Sequence, residues 1–306
     1  MFLDGVGLGS GEPAVNPLAE RWQGLRALAG GDWTEGSWPT GSRGGVVSAA
    51  LDTSLGVAGL PQSATGQTTL LTGRNAALSM GRHYGPWPGP TLLALLHAGN
   101  LFMDGVSSGG ALLANAYPPA YFQALERAAN GEAARSNSPT RRARASAPVS
   151  AARAAGLALA DLAAYGAGRA VAADLDGSGF APSPAHAPRF DARAQAEVLA
   201  ALAGEHAFTF FDVWAGDRAG HAQDRSAASR FLTRLDTFLP ALVEALPSEV
   251  TLLITSDHGN LEDMSAPRHT RANVPLLALG PHAEAFIDAR SLLDVAPAAR
   301  AVLARD

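Results

Sequence analysis

Apolar residues in this chain gather into short continuous runs separated by amphipathic stretches. The runs at 45–51 (Gly-Val-Val-Ser-Ala-Ala-Leu), 207–213, 249–255 and 274–279 are too short for core helices and read as strands buried on both faces. A further core strand is expected at 110–116, closed by Tyr117-Pro118-Pro119, because proline cannot donate to a strand ladder. Residues 1–9 read as a strand entering a glycine-rich loop. Helical spacing appears in between. A helix is expected from Ser63, with Ser63 itself as its N-cap, and another from Pro90 to His97, where proline suits the first helical position. Ser226–Leu246 carries the apolar stripe of an amphipathic helix, and a last helix begins near Ser291.

Strands alternating with helices imply an α/β fold with a mainly parallel central sheet flanked by helices, in which sites form at the carboxyl ends of the strands. The alternation lapses over 118–190, where Ala, Arg, Ser and Pro dominate and one short helix is expected at 150–165. That segment reads as a small inserted cap or lid, which leaves 1–117 and 191–306 as the core. Only three residues precede Asp4, fewer than an ordinary core strand holds, so the natural start is expected upstream of Met1.

Composition narrows the chemistry. With 47% hydrophobic and 17% charged residues among 306, the chain is expected to be globular rather than disordered. All 23 basic residues are arginine, so a lysine Schiff base is excluded and cationic contacts to a substrate must come from Arg. A net charge of −5 gives no broad basic field for nucleic acid. The one dense basic run, Arg141, Arg142 and Arg144, reads as a solvated loop. The absence of cysteine removes disulfides and thiolate chemistry and leaves oxygen and nitrogen donors for any metal. No apolar run reaches the length of a membrane helix, and a cytoplasmic protein with no membrane partner is expected.

Four segments place ligand-type residues directly after expected strands. They are Asp4, Ser63 in Leu-Pro-Gln-Ser-Ala-Thr-Gly-Gln-Thr, Asp217 with His221, and Asp257-His258-Gly259-Asn260 followed by His269. Taken singly each has an ordinary reading. Asp4-Gly5 is a turn signal, Ser63 a helix cap, and Asp217 and His221, four apart, could be neighbours on a helix, although Gly216 and Gly220 favour a loop. Asp212 is a rival ligand nearer the strand end. Together they could converge on one sheet edge and supply two divalent ions. Arg74, Arg82, His83, Asn115 and Arg271 are weaker candidates for substrate contacts.

In their order, Phe-Leu-Asp-Gly-Val-Gly, Gln-Ser-Ala-Thr-Gly-Gln, Asp-Arg-Ala-Gly-His, and Thr-Ser-Asp-His-Gly-Asn-Leu-Glu-Asp-Met with Arg-His-Thr and Val-Pro resemble the alkaline phosphatase superfamily. Within it they resemble the metal-dependent phosphoglycerate mutases and phosphopentomutases. The resemblance covers roughly 1–117 and 205–306. It implies one ion held by Asp4, Asp257, His258 and the Ser63 oxygen, and a second held by Asp217, His221 and His269, with Mn or Zn as the metal. It also implies phosphoryl transfer through Ser63 on a small phosphorylated metabolite. A phosphomutase is expected first, a phosphatase or phosphodiesterase second, and a non-catalytic metal-binding module last. The 118–190 segment is shorter than the domain such mutases insert, and their substrate-binding arginines have no counterpart here.

Overall fold

The computed structural model describes residues 1–130, 144–180 and 190–305. Its strands are β1 (Phe2–Leu3), β2 (Gly41–Arg43), β3 (Val46–Leu51), β4 (Ala111–Leu113), β5 (Ala116–Tyr117), β6 (Ala160–Asp161), β7 (Phe208–Phe210), β8 (Asp212–Val213), β9 (Leu252–Thr255) and β10 (Val274–Leu279). The helices of the first half are α1 (Gln23–Ala29), α2 (Ser63–Thr72), α3 (Ala76–Met80), α4 (Pro90–Ala98), α5 (Leu101–Ser107) and α6 (Pro119–Ala129). Those of the second half are α7 (Ala147–Ala154), α8 (Leu162–Gly166), α9 (Ala192–Gly204), α10 (Ala215–Ala222), α11 (Arg225–Ala245) and α12 (Val295–Leu303).

Six strands form the central sheet in the order β2-β3-β10-β9-β1-β8. β1 runs parallel to both β8 and β9, whereas β10 is antiparallel to β9 and β3, and β2 is antiparallel to β3. The parallel arrangement expected from the sequence therefore holds where the site residues lie, and the far half of the sheet is antiparallel. Two short parallel pairs, β4 with β7 and β5 with β6, extend the architecture beyond β8.

Alternation along the strands sorts the core into layers. Leu3, Val213, Ile254 and Leu277 pack with α1, α9 and α11 on one face, while Phe2, Val47, Leu276 and Ala278 pack with Leu70 of α2 and Val295 of α12 on the other. The continuous apolar runs of β3 and β10 follow from this burial on both faces. α7 joins the cluster of Leu71, Leu96 and Phe102, so residues 147–152 pack directly on α2 and its neighbours.

α2 is buried along its whole length although most of its residues are polar. Its threonines satisfy themselves locally, Thr69 Oγ1 donating to the Thr65 carbonyl at 2.8 Å and Thr72 Oγ1 to that of Thr68 at 2.7 Å. Gln62 is the N-cap and Ser63 the first helical residue, so the helix begins one position earlier than expected. The expected helix at 150–165 is instead α7 and α8 with β6 between them, and the expected strand at 110–116 is broken at Asn115. Arg141 and Arg142 lie outside the described residues.

Candidate metal centre

The sequence segments meet at the carboxyl ends of β1, β8 and β9. Asp4 follows β1, Asp257 and His258 follow β9, Ser63 opens α2, and Asp217 and His221 occupy successive turns of α10. Gly216 and Gly220 do not break α10 as expected. They are required by contact, because a Cβ at Gly220 would lie 2.5 Å from Asn260 Oδ1 and one at Gly216 would lie 3.2 Å from the Asp4 carbonyl oxygen. Gly66 likewise lets α2 approach Asp257, whose Cβ would be 2.9 Å from an added methyl.

Among the described residues, two sets of side chains offer ligand atoms within 4.8 Å of one another: Asp4, Asp257 and His258, and Asp217, His221 and His269. Ser63 Oγ is 2.9 Å from His258 Nε2 and so belongs with the first set. The imidazoles of His258 and His269 stack at 3.7 Å between centroids and bring the two sets side by side. Asp212, the rival ligand, belongs to neither set; its main chain is clamped by Asn115, which donates to the Asp212 carbonyl at 2.7 Å and accepts its N–H at 2.9 Å.

The donor chemistry fits cations. His269 Nδ1 lies 2.7 Å from the Pro61 carbonyl, His221 Nδ1 3.1 Å from that of Pro267, and His258 Nδ1 3.3 Å from that of Gly259. A carbonyl only accepts, so each Nδ1 carries the proton and each Nε2 presents a lone pair to the centre. The Nε2 atoms of His221 and His269 face each other at 3.0 Å, both within 3.6 Å of Asp217 Oδ1. Two lone pairs and a carboxylate oxygen converging in this way repel unless a positive charge lies among them. In the other set Asp4 Oδ1 is buried without a hydrogen-bond partner.

Electrostatics agree. Burial, then the charges of Asp257, Asp217 and Asp212, holds the Asp4 carboxyl well above the usual range. Burial and Asp217 raise Asp257 in the same sense. Burial lowers His258 to about 4, keeping its imidazole neutral. Cations bound at these positions would favour ionised carboxylates and neutral imidazoles alike.

Three residues to which the sequence reading gave no role support the ligands. Gln67, one turn beyond Ser63 on α2, donates to Asp257 Oδ2 at 3.1 Å and lies 3.5 Å from Asp4 Oδ2. Asn260 donates to Asp217 Oδ1 at 2.7 Å. Glu262 accepts from the N–H groups of Gly7 and Asn260 at 3.1 and 2.7 Å and from the Thr270 hydroxyl. A Cβ at Gly7, Gly9 or Gly259 would collide with Glu262, which accounts for the glycine-rich run after Asp4. The i+4 spacing of Ser63 and Gln67 was the available signal for Gln67.

The weaker substrate candidates divide. Arg74 lies beyond the far end of α2, roughly 15 Å from Ser63 by helical rise, and does not adjoin the centre. Asn115 is committed to Asp212. His83 Nε2 is held by the Val57 carbonyl at 3.1 Å, and Arg82 stacks over Tyr84. Arg271, two residues beyond His269, anchors through Nε to the Gly59 carbonyl at 3.2 Å and borders a cavity of about 460 Å³ with Glu35, Trp38 and Thr270. At the start of α2 the Thr65 N–H is taken by the Tyr84 carbonyl, while those of Ser63 and Ala64 have no partner among the described residues.

Residues 184–304 match the model of the Metalloenzyme superfamily, a span holding five of the seven ligand-type residues. A 2,3-bisphosphoglycerate-independent phosphoglycerate mutase of Yersinia pestis (strain Pestoides F) is 37% identical over 90 residues, covering 27% of this chain and 18% of that one. Its counterpart in Serratia proteamaculans (strain 568) is 34% identical over 116 residues, 35% of this chain and 22% of that one. The matched stretch is thus a small part of these relatives. In overall shape the chain is similar to the alkaline phosphatase of the Antarctic bacterium TAB5, with a TM-score of 0.54 at 13% identity, covering 99% of this chain and 96% of that one, a likeness of fold. Among the described residues no helix is long and apolar enough to cross a membrane.

Proposed function

We propose that this chain is a metalloenzyme of the alkaline phosphatase superfamily that transfers phosphoryl groups through a covalent phosphoserine at Ser63. Two divalent ions, Mn or Zn, would be held by the two donor sets, Asp4, Ser63, Asp257 and His258 in one and Asp217, His221 and His269 in the other. Bound there, they would neutralise a phosphate and lower the pKa of the Ser63 hydroxyl. The observation that carries the reading is the position of Ser63 Oγ, 2.9 Å from His258 Nε2 at the exposed-amide end of a buried helix.

Ser63 Oγ and His258 Nε2, 2.9 Å apart, would both turn to the ion, the Nε2 lone pair being available because Nδ1 keeps its proton for the Gly259 carbonyl. The unpartnered N–H groups of Ser63 and Ala64 and the positive end of the α2 dipole face the place where phosphate oxygens would gather. Attack by Ser63 Oγ on phosphorus forms the Oγ–P bond and breaks the P–O ester bond, the hydroxyl proton passing by way of solvent to the departing alkoxide, which leaves as the free alcohol. Arg271, two residues after His269, would meet the remainder of the substrate.

Two acceptors can then discharge the phosphoserine. The motif likeness to phosphoglycerate mutases favours return to another hydroxyl of the same small phosphorylated metabolite. The half-exposed ring of His221, at 45% side-chain accessibility, opens the second donor set to water and favours hydrolysis of a phosphate ester. A cytoplasmic setting, without nucleic acid or membrane as partner, belongs to the same proposal. Hydrolysis of p-nitrophenyl phosphate by metal-stripped protein refilled with Mn or Zn tests the shared step, with Ser63→Ala in parallel. Turnover that returns with metal and falls by about a thousandfold or more in the variant is expected. Full activity in Ser63→Ala would overturn the assignment.

A further inference from the structure

Three helices present their amino-terminal ends to the region around Ser63. α2 begins at Ser63 and α4 at Pro90, and the loop that leads into α4 lies along the first turn of α2. The Tyr84 carbonyl accepts the Thr65 N–H at 3.0 Å, and the Tyr84 N–H donates to Thr65 Oγ1 at 3.2 Å. A Cβ at Gly85 would lie 3.3 Å from the Ser63 nitrogen, so this loop rests on the amide of the nucleophile residue. Trp87 follows two residues later, within about 7 Å of Gly85 along the chain. Arg144, just before the Ser146 cap of α7, sets its guanidinium over the Trp87 ring at 6.0 Å from the centroid. That contact brings the start of α7 beside the start of α4.

Trp87 is unlike the other tryptophans. Trp22, Trp33, Trp38 and Trp214 each pack into a hydrophobic cluster, whereas Trp87 is 41% exposed and joins none among the described residues. Pro86 and Pro88 fix the backbone on either side of it, so the indole is held at the surface on a stiff support. Charge restricts what it can receive. No Asp or Glu occurs between Asp52 and Asp104, nor between Glu132 and Asp161, the stretches that supply α2, α4 and α7. Three helix amino-termini and Arg144, with no carboxylate in those stretches, give this side of the nucleophile a positive potential. An aromatic ring in such a field disfavours a cationic guest and suits a planar group carried by an anion.

We propose that Trp87 is the specificity platform of the Ser63 site and stacks against the alcohol portion of a phosphate ester in which that portion carries a planar aromatic ring. Arg144 covers one face of the indole, and the ring of the substrate takes the other. The inference rests on Ser63 as the nucleophile and goes further, to the class of ester that the site prefers.

Benzyl phosphate and cyclohexylmethyl phosphate test it, since their alcohols are close in size and leaving ability and differ in whether the ring is flat and aromatic. With metal-loaded protein, kcat/KM for the benzyl ester should exceed that for the cyclohexylmethyl ester by about threefold to tenfold. Trp87→Ala should erase that ratio and Trp87→Phe should keep most of it. Binding of the same two esters to metal-loaded Ser63→Ala, measured by equilibrium dialysis, should show the same preference and the same dependence on Trp87. A preference that persists in binding while Ser63→Ala retains full turnover would uphold the platform and count against Ser63 instead. Equal binding of the two esters, tighter binding of the cyclohexylmethyl ester, or a Trp87→Ala variant that weakens both alike would each overturn the platform.

Discussion

Three imidazoles carry the local logic of the site. Each is fixed by one backbone carbonyl, of Pro61, Pro267 or Gly259, and each therefore turns Nε2 inward. Asp212 stands apart. Its carboxyl is buried beside Asp4 and Asp257, its Oδ1 has no partner, and burial pushes its pKa up from 3.8 to about 8. In metal-stripped protein that shift has a definite sign. Below pH 3.8 the group is protonated in both folded and unfolded chains. As pH rises from there to about 8 the unfolded chain ionises first, and the folded state loses stability, with no further loss above. Asp212→Asn carries no titrating group, so its stability relative to the parent should climb between these limits by a few kcal/mol, read from urea unfolding at a series of pH values. Parallel curves for the two proteins would mean that Asp212 is ionised in the fold.

At the scale of elements, the loops after β1 and β9 are tied together by one side chain. Glu262 accepts from Gly7, Asn260 and Thr270, and so fixes the loop after Asp4 against the segment that carries His258 and His269. Glu262→Ala should cost about 2–4 kcal/mol in denaturant unfolding and weaken metal binding by about 10–100-fold. A variant with parental stability and metal affinity would remove Glu262 from this role. The sequence displayed the elements whose burial is uniform. β10 has the expected bounds, β3 begins one residue later, and α11 differs by one residue at each end, because continuous apolar runs and a long amphipathic stripe survive in any context. Elements shaped by distant contacts were not legible. The run at 110–116 breaks into β4 and β5 because the Asn115 side chain reaches the Asp212 main chain, and 207–213 divides at Phe211. Gly216 and Gly220 suggested a loop, but they admit Asp4 and Asn260 to the surface of α10. The seven ligand-type residues could be read from motif order, since their chemistry is carried by residue type. Glu262 could not, because an ordinary Glu acquires its role only when segments some 255 positions apart are packed together.

Across the whole molecule, the sheet brings residues from positions 4 to 269 to one edge, where seven donors and the start of α2 share a single volume. Its opposite edge carries an apolar cavity beside Met1, so the two ends of the same strands differ entirely in chemistry. A fold that concentrates unpartnered lone pairs and buried carboxylates at one place bears a cost in stability that bound cations relieve. The central claim, that this arrangement passes a phosphoryl group through Ser63, is tested most directly by acid-quenching metal-loaded protein during turnover of a phosphomonoester and measuring its intact mass and peptide map. One added phosphoryl group, located on Ser63 and absent from Ser63→Ala, is the predicted result. Sustained turnover without an adduct on Ser63, or an adduct on another residue, would contradict the account.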